Sequence, residues 1–344
     1  MRHSLGEKVS LVLSPIPSTI LVAKDLKLKG FVQDYLPLHI ESVLPDRPLS
    51  FDLFIFFKET YLCYTPKGQP LSTDKLNKLR TQTVARFFVN KSDVDNVYLT
   101  LDLSLKEVVM SKEFQADEKV TFTQGAAKTA FENFQLEETE QNFKLTKKAA
   151  NSLRQVIQQN PMALKKLFGH KSREADRIIQ HSLNVCGLCT KLGERFKLKE
   201  DELEDLATAA LIHDVGLTRL TKEERNLFIK DPTKFTPDDK RIYNTHCRES
   251  TLLMHDKPYI NKRVQDLVMN HEENNQGTGP NKVKKLDKLT EILSIVNTYD
   301  KKIICENITP MEAFKKFTID EVGNYTLEVI NKFKEVLKSE GLLD

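Results

Sequence analysis

The chain has 344 residues, with 52 Lys and Arg against 49 Asp and Glu, for a formal net charge of +3. That length accommodates two domains with cores of their own. The near balance of dispersed charges leaves no electrostatic footprint for nucleic acid, and no run of about 18 apolar residues is present to span a bilayer.

The N-terminus leads into LVLSPIP, which is short and lacks a small-residue cleavage site, so no signal peptide is expected. Five scattered cysteines, Cys63, Cys186, Cys189, Cys247 and Cys305, form an odd, sparse set that fits reduced thiols in a cytoplasm. Cys186 and Cys189 have C-x-x-C spacing but lie on a helical apolar stripe with no second pair, which favours core packing over zinc or redox work.

Residues 1–118 read as a small α/β (α+β) domain. Ile16–Val22 and Ile40–Leu44 are candidate strands. Phe51–Phe57 and Tyr61–Tyr64 flank a Lys58-Glu59-Thr60 turn and read as a hairpin. A short helix over Leu71–Leu79, a strand over Val84–Val89 and a helix over Val94–Val109 follow. No ligand cluster and no Gly-rich phosphate loop occur here, so the segment reads as regulatory or sensory and is expected to fold on its own. Residues 119–160, anchored by Phe131, Phe134, Leu136 and Leu145, read as a helical connector. Residues 161–344 read as all-α. Thr221 with Glu224, Thr236-Pro237 with Asp239, and Thr309-Pro310 with Glu312 mark three capped helix starts.

Five polar groups interrupt apolar stripes in this last part. His181 lies in step with Ile178, Val185, Leu188 and Leu192, and His213-Asp214 ends the run Leu203–Asp214, where Gly216 is expected to stop the helix. His246 aligns with Ile242 and Leu253, and His271 with Ile260, Val264 and Leu267. A last stripe carries Leu289, Leu293, Val296, Asn297 and Asp300. A lone histidine on such a face is ordinarily a hydrogen-bonded core residue, and that reading is kept for His3, His39, His170 and His255. Four histidines and an aspartate on four helices are better explained by convergence on a divalent metal, because each buried polar group is costly unless partnered. Lys282, Lys284, Lys285, Lys301 and Lys302 flank the site and read mostly as a solvated helix surface.

These segments resemble the HD superfamily of metal-dependent phosphohydrolases, and most closely its HD-GYP branch of cyclic-di-GMP phosphodiesterases. The resemblance covers about half the chain, from Ser172 onward. It rests on His181-Ser182 followed by LNV, LIHDVG at Leu211–Gly216, His246 after the capped Pro237, NHEENNQGTGP at Asn270–Pro280, and SIVNTYD at Ser294–Asp300. It implies an all-helical bundle of the HD type. It also implies one or two divalent ions, iron or manganese, with His181, His213 and Asp214 holding one and Asp214, His246 and His271 the other. Asp214 would then be the catalytic carboxylate that bridges them.

Four differences from the family stand out. Asn270-His271 replaces a double histidine, Asn297 replaces a ligand Asp, Leu217 replaces a Lys, and the Gly-Tyr-Pro loop is reduced to Gly279-Pro280 without Tyr, with Gly277 as a further substrate-loop candidate. Asn270, Asn297, Asp300 and Glu272 are weak-ligand or supporting candidates, with Asp300 assigned to orient a ligand histidine. Two functions follow. One is a weakened phosphodiesterase acting on a cyclic dinucleotide or another phosphoester. The other is a non-catalytic receptor or scaffold in cyclic-dinucleotide signalling. Candidate partners are a second copy of the chain or a signalling protein, with no nucleic acid and no membrane span.

Overall fold

The structure, a computed structural model, describes residues 34–161, 163–168 and 177–343. His3, His170 and the expected strand Ile16–Val22 lie outside the described residues. The first described elements form an antiparallel four-stranded sheet: β1 (Tyr35–His39), β2 (Leu53–Phe57), β3 (Thr60–Thr65) and β4 (Arg86–Asn90), in spatial order β1-β4-β2-β3. The β2–β3 hairpin turns at Lys58 and Glu59, both left-handed at φ 45° and 62°. The strand expected over Ile40–Leu44 lies instead at Tyr35–His39, and Ile40–Ser42 is a single helical turn. Pro37 argues against a strand in sequence, yet β1 is an edge strand, where proline is tolerated.

Helices α1 (Thr73–Thr81), α2 (Val94–Met110), α3 (Ala116–Leu136) and α4 (Glu140–Gln159) follow. The stretch read as a connector is thus two long helices, and Phe131, Phe134, Leu136 and Leu145 are all buried in them. Polar contacts bind α3 to the sheet. Thr129 Oγ1 accepts from the His39 amide at 2.9 Å, and Glu132 lies 3.2 Å from His39 Nε2 while accepting from Arg86 Nε at 3.0 Å. On the other side, Arg154 of α4 is fully buried and donates to Glu200 at 3.2 Å, and the Phe143 ring meets Tyr259 at 5.9 Å. One apolar cluster consequently runs from Leu36 to Leu343.

The remaining helices are α5 (Ala163–Phe168), α6 (Arg177–Arg195), α7 (Glu200–Ile212), α8 (Lys222–Arg225), α9 (Pro237–Met254), α10 (Lys262–Asn270), α11 (Lys288–Glu306), α12 (Pro310–Asp320) and α13 (Leu327–Ser339). The three capped starts form as the sequence spells them, each with the reciprocal Thr–Glu or Thr–Asp bonds. Helix α6 packs on α7 and α11, and α10 packs on α7 and α9, so the stripes that carry the polar residues face one another. Leu217, Leu220, Leu227, Phe228 and Tyr243 form a second, smaller apolar cluster beside them. No helix among the described residues is long and apolar enough to cross a membrane.

Burial opposes charge on Glu132, but His39 and Arg86 hold its carboxyl below the ordinary carboxylate range. Its stabilising contribution is therefore full above its ordinary pKa of 4.5 and is lost as pH falls from there toward the lowered folded value. Glu132→Gln is predicted to cost about 1–3 kcal/mol at neutral pH, because it removes the carboxylate that the part-buried Arg86 and the buried His39 both meet. It should also flatten the loss of stability on acidification. Urea unfolding of both proteins at neutral and acid pH measures both effects. A fragment ending at residue 118 lacks Thr129 and Glu132 and uncovers the sheet's buried side. Circular dichroism is predicted to find it unfolded, and a folded fragment would show that the sheet needs neither helix.

Candidate metal centre

Each ligand candidate sits where its helix meets the common core. His181 is mid-helix in α6, His213 and Asp214 follow directly on α7, His246 lies in α9, and His271 caps α10. All five side chains are fully buried. Three of the imidazoles are oriented alike: Nδ1 donates to the carbonyl three residues earlier, His213 to Ala210 at 2.8 Å, His246 to Tyr243 at 2.5 Å and His271 to Val268 at 2.6 Å. His181 Nδ1 instead faces Asp300 Oδ2 at 2.7 Å, and Asn184 steadies that carboxylate by donating to Oδ1 at 2.9 Å. A carboxylate or carbonyl on Nδ1 fixes the tautomer and leaves the Nε2 lone pair free for a metal.

The four Nε2 atoms point inward as two pairs. His181 and His213 approach to 3.1 Å, and His246 and His271 to 3.0 Å. Asp214 lies between the pairs. Its Oδ2 is 3.3 Å from His213 Nε2 and 3.7 Å from His181 Nε2, and its Oδ1 is 3.2 Å from His246 Nε2 and 3.4 Å from His271 Nε2. Although buried, neither Asp214 oxygen accepts a hydrogen bond. Burial opposes its charge, but the adjacent His213 keeps the carboxyl well below the ordinary range. Burying a carboxylate and four imidazoles that meet chiefly one another is costly in a closed core. A divalent cation would satisfy these atoms, and the imidazole and carboxylate donors fit one.

The supporting residues divide. Asn297 is fully buried in α11 and places Oδ1 2.9 Å from His181 Nε2, on the first pair's side. Asn270 turns away and accepts from Asn281 Nδ2 at 3.3 Å, toward the loop that follows. Glu272 lies 3.7 Å from His246 Nε2 and 3.6 Å from His271 Nε2 and accepts from Lys301. Burial opposes its charge, yet Lys301 brings the Glu272 carboxyl down to about 2. The adjacent Glu273 holds the Gly277–Gly279–Pro280 loop by accepting from the amides of Asn281 at 2.6 Å and Val283 at 2.8 Å. A Cβ on Gly279 would stand 2.6 Å from the Glu273 carboxyl, so the loop closes only over glycine there.

Several sequence readings change. Gly216 does not stop the helix: the chain continues as a helical turn over Val215–Arg219. The residue is needed for close approach, because a Cβ there would lie 2.2 Å from the His246 carbonyl. Ser250 completes this junction by accepting from the Gly216 amide at 2.7 Å and donating to the His213 carbonyl at 2.9 Å. Lys301 is not part of a solvated surface; it is buried between Glu272 and the Tyr243 hydroxyl. His255 is exposed beside Asp256, not a core residue. Cys247, read only as one of five thiols, lies against His246 and His271, and its position directly after His246 was the available signal. Ser250 and Tyr243 carried no signal, since their roles depend on which helices meet.

With this geometry in view, residues 151–316 match the HD domain family. That match and the likenesses that follow support an HD-GYP-like HD domain in this chain. Among curated proteins it is 24% identical over 123 residues to "Cyclic di-GMP phosphodiesterase PA4108" of Pseudomonas aeruginosa. That match spans 36% of this chain and 28% of the relative. Among solved structures, Bd1817, a HDG"Y"P protein from Bdellovibrio bacteriovorus, superposes with a TM-score of 0.71 at 21% identity, covering 89% of this chain and 100% of that one. This likeness establishes the fold.

Gly216→Ala is predicted to push the turn off α9 and separate Asp214 from His246. Its overpacking cost is about 1–3 kcal/mol, and metal content after reconstitution should drop with it. Calorimetric melting together with elemental analysis decides the matter. A variant with unchanged metal content would show that this junction does not set the ligand geometry.

Proposed function

We propose that this chain is a metal-dependent phosphohydrolase of the HD-GYP kind that cleaves a phosphodiester, with a cyclic dinucleotide as the substrate class. The observation that carries this reading is the buried, unpartnered Asp214 carboxylate between two imidazole pairs. His181, His213 and Asp214 would hold one ion, and Asp214, His246 and His271 the other. Bound divalent ions supply Lewis acidity toward phosphoryl oxygens and lower the pKa of water. The substrate class is supported by the likeness to a curated cyclic di-GMP phosphodiesterase, which covers a minor part of that protein.

The chain's own groups would bind and orient the phosphate. Leu217, at the place of the family's Lys, is 1% exposed among Leu220, Leu227, Phe228 and Tyr243. A lysine there would bury its ammonium in that cluster, so restoring it would destabilise the cover over the site and add no useful cation. Lys301 is the better-placed cation. Burial lowers and Glu272 raises its pKa, with a net rise that keeps it charged. Glu272, at 18% side-chain exposure, marks the edge of the site nearest solvent. In this reading Lys301 meets a non-bridging phosphate oxygen and Asp300 holds the His181 ring in line. We assign the sheet a regulatory role.

The buried Leu217 and the uncharged Asn297 favour a second reading, a receptor that binds a cyclic dinucleotide without turnover. Hydrolysis of cyclic di-GMP and of bis(p-nitrophenyl) phosphate by the iron- or manganese-reconstituted chain separates the two. We predict turnover that Asp214→Asn abolishes. Lys301→Met should lower it by about 10²-fold, as for loss of a donor to developing charge, at undiminished metal content. Cyclic di-GMP binding without turnover in any metal form would put the receptor in first place. A protein that takes up no metal would overturn the hydrolase reading.

A further inference from the structure

The second imidazole pair has a third neighbour. Cys247 Sγ lies 3.6 Å from His246 Nε2 and 3.9 Å from His271 Nε2, and the three ligand atoms lie within 4.8 Å of one another. A buried thiol is ordinarily core packing, and Cys186 and Cys189 show that case on the apolar face of α6. Cys247 differs in what it faces. Its sulfur lies beside the two Nε2 atoms that stand 3.2 and 3.4 Å from Asp214 Oδ1, and that buried oxygen has no hydrogen-bond partner. Two nitrogens and a sulfur thus gather within 4.8 Å, and the two nitrogens also face Asp214 Oδ1, donor types that match four-coordinate sites of borderline-soft divalent metals.

We propose that Cys247 is a metal ligand. It completes the second position as a His246–Cys247–His271 set closed by Asp214, and it makes that position select a thiophilic cation, Fe2+, Zn2+ or Co2+, over Mn2+ or Mg2+. This rests on the metal-dependent reading above. On binding, the S–H bond breaks, a sulfur–metal bond forms and the proton leaves to solvent. The thiolate supplies one negative charge, which offsets the charge missing at Asn297. Carboxylate and carbonyl donors suit Mn2+ and Mg2+, whereas thiolate shifts preference toward softer ions. The two positions are therefore unlike: the first is built from His181, His213, Asp214 and an amide oxygen, and the second carries sulfur.

The test loads the full-length chain with Co2+ and follows the sulfur-to-cobalt charge-transfer absorption in the near ultraviolet alongside cobalt content. The expected result is a band that grows as the second equivalent binds, is absent in Cys247→Ser and persists in Cys305→Ser. Cys247→Ser should keep the first ion and lose about 10- to 100-fold in affinity for the second, the range seen when a metal-supporting group is removed. Its Zn2+-over-Mn2+ preference should fall as well. Calorimetric melting of the metal-free variants checks that the serine chain is folded, and Cys247→Ala serves as a second variant. Cobalt uptake without the band, or a band that survives in Cys247→Ser and Cys247→Ala, would overturn the sulfur ligand and leave the metal reading intact. No cobalt uptake by the wild type would overturn the metal reading itself.

Discussion

A buried aspartate with no hydrogen-bond donor organises this half of the molecule. Asp214 sits at the junction of α7 and the following turn, with two imidazoles on each side and neither oxygen bonded. In a closed core such a group is tolerated when something outside the chain completes it, because stripping a carboxylate of water without a partner is expensive. The features around it serve that completion. Three histidines spend Nδ1 on a carbonyl one turn back, and the fourth spends it on Asp300, so four Nε2 atoms are aimed inward. Within each pair these atoms approach to 3.1 and 3.0 Å.

The rest of the fold keeps those atoms in place. Gly216 and Ser250 let the turn after Asp214 lie directly on α9, which sets the distance from Asp214 to His246. Phe228, from the small apolar cluster after that turn, lies edge-on to His181 with ring centroids 5.3 Å apart. Farther out, α3 and α4 link the sheet to the HD helices through Glu132 and Arg154, so the ligand candidates rest on a core that continues into the N-terminal part. Ligands carried on packed helices are held more tightly than ligands on loops, as a site with short bonds to metal requires.

Much of this was legible in sequence, for a specific reason. Histidine on an apolar stripe is a conflict between residue and environment, and the 3.6-residue period shows which side chains share it. His181, His213, Asp214, His246 and His271 stand out by that rule, and the capping pairs at Thr221, Thr236 and Thr309 fix helix starts with the same local chemistry. What could not be read depended on tertiary meeting points. Lys301 reads as surface until Glu272 and Tyr243 are brought around it, and Cys247 reads as an ordinary thiol until α10 places His271 beside it. The edge strand β1 was hidden by Pro37, whose tolerance depends on sheet order. The two helices read as a connector are amphipathic and polar in sequence, and their burial follows from being packed on both sides.

Anomalous diffraction from crystals of the cobalt-loaded chain tests the central claim most directly. Two ion peaks flanking the Asp214 carboxylate are predicted, one bonded to His181 and His213 and the other to His246 and His271. An electron-density map of that crystal with no anomalous peak within bonding distance of Asp214, and with its carboxylate oxygens bonded to protein donors or water instead, would contradict it.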